Sequence, residues 1–314
     1  MLWFAKHKDG NEKNKQQGLI ATVDDLLQQQ KYLPYLVLYP NKLTSNRAGD
    51  AKSVFKGRGM EFAEVRAYTY DDDVRDIDWR VTARKKEPYT KVFNEERDRE
   101  IVVFLDLSAS MLFGTRHELK SVTAAKTAAL IGWQTIRNKD RFGVIIFDGK
   151  DVEYYKPQND IKSLIEIFRH IAQKTQDILN YDTNRKDNLK EINDALGLLH
   201  YYQKGQGTLF VISDFADFDS EKLQTLAMLA RKHQIYCVNI FDALEENAPA
   251  DGIYTAQYNG IRTTINSHNL QFKAAYYAYF NEKRAKLKKN CQKFLCRYME
   301  IRTDIPIFKQ LSNV

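Results

Sequence analysis

The segment Asp106-Leu107-Ser108-Ala109-Ser110 carries one carboxylate and two hydroxyls at alternate positions, directly after the apolar run IVVFL. Alternate side chains of an extended segment point to the same side, so these three groups are expected to converge. Oxygen ligands of this kind bind hard cations, above all Mg²⁺, which prefers an octahedral shell and keeps some of its water. Helix capping or turn formation by Asp and Ser is the alternative explanation of the same residues.

A second carboxylate, Asp214, ends another apolar run, GTLFVISD. Ligands of open α/β sheets bind beyond the carboxyl ends of the strands, and Asp106 and Asp214 both lie at that end of their predicted strands. Two hydroxyls and two acids leave a divalent ion with an open coordination position, particularly when the acids bind through water. The residues therefore predict a cation whose last ligand is a carboxylate of another protein.

Buried strands and amphipathic helices alternate along the remainder of the chain, and they would position this site. Apolar runs predict strands at residues 101–106, 142–148, 207–214 and 235–241, with VEYYK as a short edge strand and RYMEIRT as a final strand. Helical patterns cover residues 117–138, 161–174, 188–202, 220–233 and 272–294, and a short helix is predicted at 22–35. This alternation predicts an α/β fold, with a mostly parallel sheet covered by helices on both faces.

Composition limits the class of protein. The 314 residues suffice for one large domain or two modest ones, and three cysteines without a C-x-x-C pair exclude a disulfide framework or a zinc module. The apolar runs are too short for a membrane helix, and the first residues do not resemble a secretory signal. We therefore expect no transmembrane segment and a cytoplasmic location.

The net charge of +7 is concentrated near the end of the chain, where residues 268–314 contain 10 Lys and Arg against 3 Asp and Glu. The segment FNEKRAKLKKNCQKFL within it has the pattern of a basic amphipathic helix. A solvated outer face is the favoured interpretation, and we expect no nucleic acid partner. An acidic protein, nucleic acid or anionic lipid as the partner of this face stays open.

The strings VVFLDLSASM, RFGVIIFD and TLFVISDF resemble a von Willebrand factor A-type domain with its metal-ion-dependent adhesion site. Gly57 to Phe62 and Arg75 to Arg84 are similar to the motifs of a bacterial branch known as domain of unknown function fifty-eight. The resemblance implies a Rossmann-like domain over residues 96–314, with a variable insertion around 246–266. A smaller N-terminal module over residues 1–95 would precede this domain.

The resemblance also implies a function. It suggests a non-catalytic adaptor that works with a MoxR-type AAA+ ATPase on an unidentified client protein. The metal, Mg²⁺ by expectation, would be held by Asp106, Ser108, Ser110 and Asp214.

One ligand position departs from the family pattern. Relatives supply a threonine from a G-T-x-L turn, and alignment on Leu189 places Asp187 there. Either Asp187 coordinates the ion or Thr183 reaches it from a shifted loop. A third acid would weaken the attraction for a partner carboxylate and would favour Ca²⁺ or Mn²⁺ over Mg²⁺.

Two other hypotheses accompany this one. A divalent-metal phosphohydrolase or nuclease using Asp106 and Asp214 is the enzymatic alternative, although the sequence has no phosphate-binding loop and no identifiable partner for a serine nucleophile. The Asp-rich and Arg-rich stretch 71–84 predicts an ion-pair network packed around Trp79. A groove for an anionic partner is the alternative for that stretch.

Overall fold

The computed structural model describes residues 18–35, 38–39, 60–70, 72–95, 99–180, 192, 195–198, 207–218, 220–258 and 261–311. The chain divides into two compact units, one formed by Met1–Asn41 with Arg99–Val314 and the other by Lys42–Asp98. In chain order the elements are α1 Val23–Leu27, β1 Met60–Ala67, α2 Trp79–Lys85, β2 Tyr89–Glu95, β3 Glu100–Asp106, α3 Lys120–Arg137, β4 Arg141–Phe147, β5 Val152–Gln158, α4 Ile161–Asp177, β6 Gly207–Ser213, α5 Ser220–Leu229, β7 Gln234–Phe241, α6 Ala243–Glu246, β8 Ile253–Tyr258, β9 Ile261–Asn266, α7 Leu270–Lys293, β10 Arg297–Arg302 and α8 Ile307–Leu311.

A six-stranded sheet forms the centre of the larger unit, in the order β5-β4-β3-β6-β7-β10. Its neighbouring strands are parallel except for β5, which pairs antiparallel with β4 at one edge. The central strands are continuous apolar runs, as expected of parallel strands that are covered on both faces. The predicted α/β class with a mostly parallel sheet is therefore confirmed.

Two separate apolar clusters pack on the two faces of the sheet. Alternate residues of β3 divide between them, because successive side chains of a strand point to opposite faces. Ile101, Val103 and Leu105 pack in the cluster that contains α3 and α4. Val102 and Phe104 pack in the cluster that contains α5 and the end of α7.

The strand order places a topological switch point between β3 and β6. From β3 the chain continues to β4 and β5 on one side, and from β6 it continues to β7 and β10 on the other side. At such a point the connections diverge and leave a crevice beyond the carboxyl ends of the strands. Asp106 is the last residue of β3 and Asp214 directly follows β6, so both acids lie at this crevice.

The N-terminal segment packs on α3 and belongs to the larger unit, which differs from the predicted module of residues 1–95. Trp133 Nε1 donates to the carbonyl oxygen of Leu26 at 3.1 Å, and Arg137 Nη1 donates to that of Leu33 at 2.9 Å. Leu26 and Leu33 are buried. Pattern analysis missed this attachment because the contacts join segments that lie about a hundred residues apart.

The smaller unit contains the antiparallel pair β1-β2 and the helix α2. The ion-pair network predicted around Trp79 is wrong in its centre, because Trp79 is 69% exposed. Arg66 pairs with Asp72, whereas Asp78 accepts hydrogen bonds from the first backbone N–H groups of α2 and caps that helix. Trp79 is therefore the first residue of a capped surface helix.

The predicted insertion around residues 246–266 contains an antiparallel hairpin. Its strands β8 and β9 lie between α6 and α7. Within the described parts of the chain, no helix is long and apolar enough to cross a membrane.

We expect Trp133→Phe to loosen the N-terminal segment. The substitution keeps an aromatic ring beside Phe168 but leaves the buried carbonyl of Leu26 without its donor, which should cost about 1–3 kcal/mol of unfolding free energy. Urea unfolding measures the loss, and limited proteolysis should show faster cleavage within residues 18–39.

Trp79→Phe is the matched control, since Trp79 is exposed and a surface change of this kind stays within about 0.5 kcal/mol. Equal losses of unfolding free energy in the two variants, or unchanged cleavage in Trp133→Phe, would contradict the attachment of the N-terminal segment through Trp133.

Candidate metal-binding site at the switch point

Asp106 is the innermost acid of the crevice and is 2% exposed. One of its carboxylate oxygens accepts the backbone N–H of Ser108 at 2.9 Å, and the other accepts the Ser213 hydroxyl at 2.6 Å. Burial, and then the nearby charge of Asp214, raise the pKa of Asp106 to about 6. The charge of Asp214 thus opposes ionisation of Asp106.

The two serines bridge the acids. The Ser108 and Ser110 hydroxyl oxygens lie 3.4 Å apart, and the Ser110 hydroxyl donates to Asp214 Oδ1 at 3.1 Å. Asp214 also accepts the backbone N–H of Ala216 at 3.0 Å. The structure therefore brings together Asp106, Ser108, Ser110 and Asp214, although they come from two different strand ends.

A buried lysine, which the sequence analysis missed, completes this group. Lys120 is 2% exposed, and its ammonium donates to Asp214 Oδ2 at 2.7 Å and to Glu245 Oε1 at 2.8 Å. Burial opposes the charge of each group. The two acids nevertheless raise the pKa of Lys120, and the ammonium helps to keep the pKa of Asp214 below its usual value.

Lys120 is also the first residue of α3, where the positive end of the helix dipole disfavours a cation.

Two further acids end parallel strands, and the runs FGVIIFD and IYCVNIFD could have revealed them. Asp148 follows β4 and accepts a hydrogen bond from Lys174 at 2.9 Å. Asp242 follows β7, is fully buried, and accepts hydrogen bonds from the hydroxyls of Thr115 and Thr303 at 2.6 and 2.7 Å. Both carboxylates are held by contacts of their own, which fix the loops on either side of the crevice.

The donors present fit a small hard cation. Adjacent ligands of an octahedral Mg²⁺ at about 2.1 Å lie about 3 Å apart, which is close to the separation of the two serine hydroxyls. Asp106, Ser108, Ser110 and Asp214 would hold such an ion, and an ion there would supply an open position for an anionic oxygen. The ion would compete with Lys120 for Asp214.

Asp187 and Thr183, the candidates for the third ligand position, lie outside the described residues. Among the residues that are described, no three His, Cys, Asp or Glu side chains are grouped to hold a metal ion, so the serine hydroxyls have to supply half of the donor set. A metal-dependent hydrolase usually needs more carboxylates or a general base beside the bound water. The hydrolase alternative therefore gains no support from this geometry.

We expect the site to make stability depend on pH in a metal-free buffer. The folded protein keeps a proton on Asp106 up to about pH 6, whereas the unfolded chain releases it near 3.8. The stabilisation that protonated Asp106 gives the folded state is therefore fully present below pH 3.8. It is lost as the pH rises to about 6, which lowers the free energy of unfolding by about 3 kcal/mol. Urea unfolding in EDTA should show wild type losing this much relative to Asp106→Asn between pH 4 and pH 7.

Asp148→Asn is the control, because the pKa of Asp148 is shifted in the other direction. Burial raises that pKa, but hydrogen bonds from Asp151, Lys174 and Lys150 outweigh burial and lower it overall. Its contribution is present above the usual value and is lost only as the pH falls, so the difference from wild type should stay constant between pH 5 and pH 7. A constant difference for Asp106→Asn as well would show that Asp106 is not buried beside Asp214.

Solved structures with a related arrangement have low similarity to this chain. The conserved hypothetical protein BatB from Bacteroides thetaiotaomicron is 16% identical, with a TM-score of 0.40, covering 68% of this chain and 96% of BatB. The VWA domain of SpRpn10 is 9% identical, with a TM-score of 0.34, covering 69% of this chain and 95% of that domain. At these values we draw nothing about activity from them.

Sequence relatives are closer. Uncharacterized protein Rv1480 of Mycobacterium tuberculosis and Uncharacterized protein Mb1516 of Mycobacterium bovis are each 28% identical over 211 residues. The match covers 67% of this chain and 64% of the length of each relative. The family described as "Protein of unknown function DUF58" matches residues 64–286, more than half of the chain. The family expected from the motifs is thereby confirmed, and this chain belongs to the DUF58 family.

Proposed function

We propose that this chain is a non-catalytic protein-interaction module that binds a divalent cation, Mg²⁺ first, at the switch point and receives a partner's carboxylate there. The observation that carries the proposal is the convergence of Asp106, Ser108, Ser110 and Asp214, in which one hydroxyl contacts the other serine and the second acid. Neutral hydroxyls supply oxygen ligands without cancelling the charge of the ion. Such an ion keeps an attraction for an additional anionic ligand.

Lys120 supports a cooperative form of this binding. Its ammonium already neutralises Asp214, so a cation entering the site meets less negative charge than two free carboxylates would offer. Affinity for the ion alone should therefore be modest. A partner carboxylate would add the missing anionic ligand, and the ion and the partner would then bind more tightly together than either does alone.

The family resemblance suggests the identity of the partner. We propose a MoxR-type AAA+ ATPase, acting with this chain on a client protein in assembly or maturation, and we propose that they meet in the cytoplasm. What supports the role of adaptor is the site itself, where the described groups hold one another in hydrogen bonds and none is placed as a nucleophile with a histidine base.

We expect Ser110→Ala and a chelator to weaken capture of the ATPase by immobilised protein. The substitution removes one hydroxyl ligand that also contacts Asp214, and loss of a single ligand should reduce binding at least about tenfold. Pull-down with purified ATPase in Mg²⁺ and in EDTA measures the effect, while the thermal melt should change little.

Ser163→Ala is the control, since Ser163 lies at the start of α4 and bonds Gln158. Capture that survives both EDTA and Ser110→Ala would show that binding uses another surface. Phosphatase or nuclease turnover in Mg²⁺ or Mn²⁺ that is abolished by Asp106→Ala would instead show an enzyme.

We expect Lys120→Met to lower the stability of the metal-free protein and to raise its affinity for Mg²⁺. Without the ammonium, the buried carboxylate of Asp214 loses its ion pair and the partly exposed Glu245 loses its partner, which should cost about 3–5 kcal/mol in EDTA. Mg²⁺ should bind at least about tenfold more tightly and recover part of that loss, as measured by calorimetric titration and by melts with and without the ion.

Lys126→Met is the matched control on the same helix, because Lys126 pairs with Glu118 and does not contact the site. Unchanged Mg²⁺ affinity in a folded Lys120→Met protein would contradict the proposed competition.

A further inference from the structure

A cavity of about 310 Å³ lies beside the switch point, between α7 and the ends of β6 and β7. Asp214 and Glu245 line it together with side chains of α7. Its volume is within the range of pockets that bind ligands. The cavity therefore shares one residue, Asp214, with the candidate metal site but extends away from the serines.

The floor of this cavity is aromatic and aliphatic. The rings of Phe215 and Phe218 lie 4.6 Å apart, and those of Phe241 and Phe280 lie 5.5 Å apart. Leu223 and Leu287 complete the apolar lining. Such a surface is suited to a large apolar side chain, which gains by leaving water.

Arg284 holds the helical wall in place. Its guanidinium pairs with Glu300 and, at 3.3 Å, with Glu246, and it lies over the ring of Phe241 at 5.4 Å. The Tyr276 hydroxyl adds a hydrogen bond to the carbonyl of Leu244 at 2.7 Å. These contacts fix the wall without using Lys283 or Lys286 of the same helix.

Lys283 and Lys286 line the cavity and are exposed. No carboxylate among the described residues lies within 4 Å of either ammonium, and α7 carries seven Lys and Arg against one Glu. Tyr279 beside them is 73% exposed. The rim therefore presents two ammonium groups that no carboxylate of the described residues contacts, and an exposed aromatic ring beside an apolar floor.

We propose that this cavity binds a segment of a partner protein in which a large apolar side chain is flanked by acidic residues. The apolar side chain occupies the floor, and the flanking carboxylates meet Lys283 and Lys286. The inference rests on the proposed function in taking a protein as the ligand, but it needs no metal ion. A nucleic acid is the competing ligand for the lysines, and the lining of phenylalanine and leucine side chains favours an apolar protein side chain instead.

The test uses a fluorescein-labelled peptide, Glu-Asp-Phe-Glu-Asp, and its counterpart with Ala in place of Phe. Fluorescence anisotropy at low salt, in EDTA and again in Mg²⁺, should show that the Phe peptide binds about tenfold or more tightly than the Ala peptide. K283E/K286E should weaken binding of the Phe peptide at least about tenfold, and Tyr279→Ala should weaken it severalfold.

Two matched controls come from the same helix. K288E/K289E makes the same charge change at residues that do not line the cavity, and Tyr277→Ala removes an exposed aromatic ring outside it. Both should leave binding within about twofold of wild type. Circular dichroism checks that each variant keeps the helix content of wild type.

The outcomes separate the two proposals. Binding that needs Mg²⁺ and Ser110 but ignores K283E/K286E and Tyr279→Ala overturns the cavity while the metal site stands. Cavity-dependent binding in EDTA supports the cavity even if Ser110→Ala and chelators leave capture of the ATPase unchanged. No binding of the Phe peptide at millimolar concentration overturns the cavity, as does a ten-residue oligothymidylate that binds more tightly than the peptide and loses affinity in K283E/K286E.

Discussion

The burial of negative charge at one edge of the sheet is the constraint on which this structure depends. Four acids lie at the carboxyl ends of four parallel strands, and a buried carboxylate is tolerated only when charges or hydrogen bonds compensate it. Each acid has a dedicated partner here: Lys120 for Asp214, Lys174 for Asp148, two threonines for Asp242, and Ser213 for Asp106. Asp106 and Asp242 have only neutral partners in this set, and Asp106 in addition lies near a second acid, Asp214. The crevice at the switch point is therefore where the edge retains an attraction for a cation.

Hydrophobic pattern predicted the sheet because central parallel strands must be apolar on both faces. The acid that ends an apolar run marks the edge where polar groups gather, which placed Asp106 and Asp214 correctly. The role of Lys120 was not predicted because its partner Glu245 lies 125 residues away, in a helix too short to show a periodic pattern. The exposed position of Trp79 was not predicted either. A tryptophan among several arginines suggests a packed site, whereas the structure has it at the start of the capped helix α2.

The candidate metal site and the cavity meet at Asp214, which gives the crevice two kinds of surface. The serine side offers oxygen ligands, whereas the side facing α7 offers aromatic rings and ammonium groups. Burial has the largest influence on the pKa of Asp214 and raises it, whereas the charges of Lys120 and Lys283 lower that pKa. A ligand bound on one side would change the electrostatic potential on the other side. The two proposals therefore describe neighbouring parts of one recognition surface.

The portion that matches the family is smaller than the portion that folds. It begins at residue 64 and stops at residue 286, inside α7, so it leaves out the segment that covers Trp133 and the edge strand β10. A chain trimmed to those limits would uncover Trp133 on one side and leave β7 as an open edge on the other. Exposed apolar residues beside an unpaired strand promote aggregation. Deletion studies that follow the family boundaries would therefore report insolubility where they intend to report loss of function.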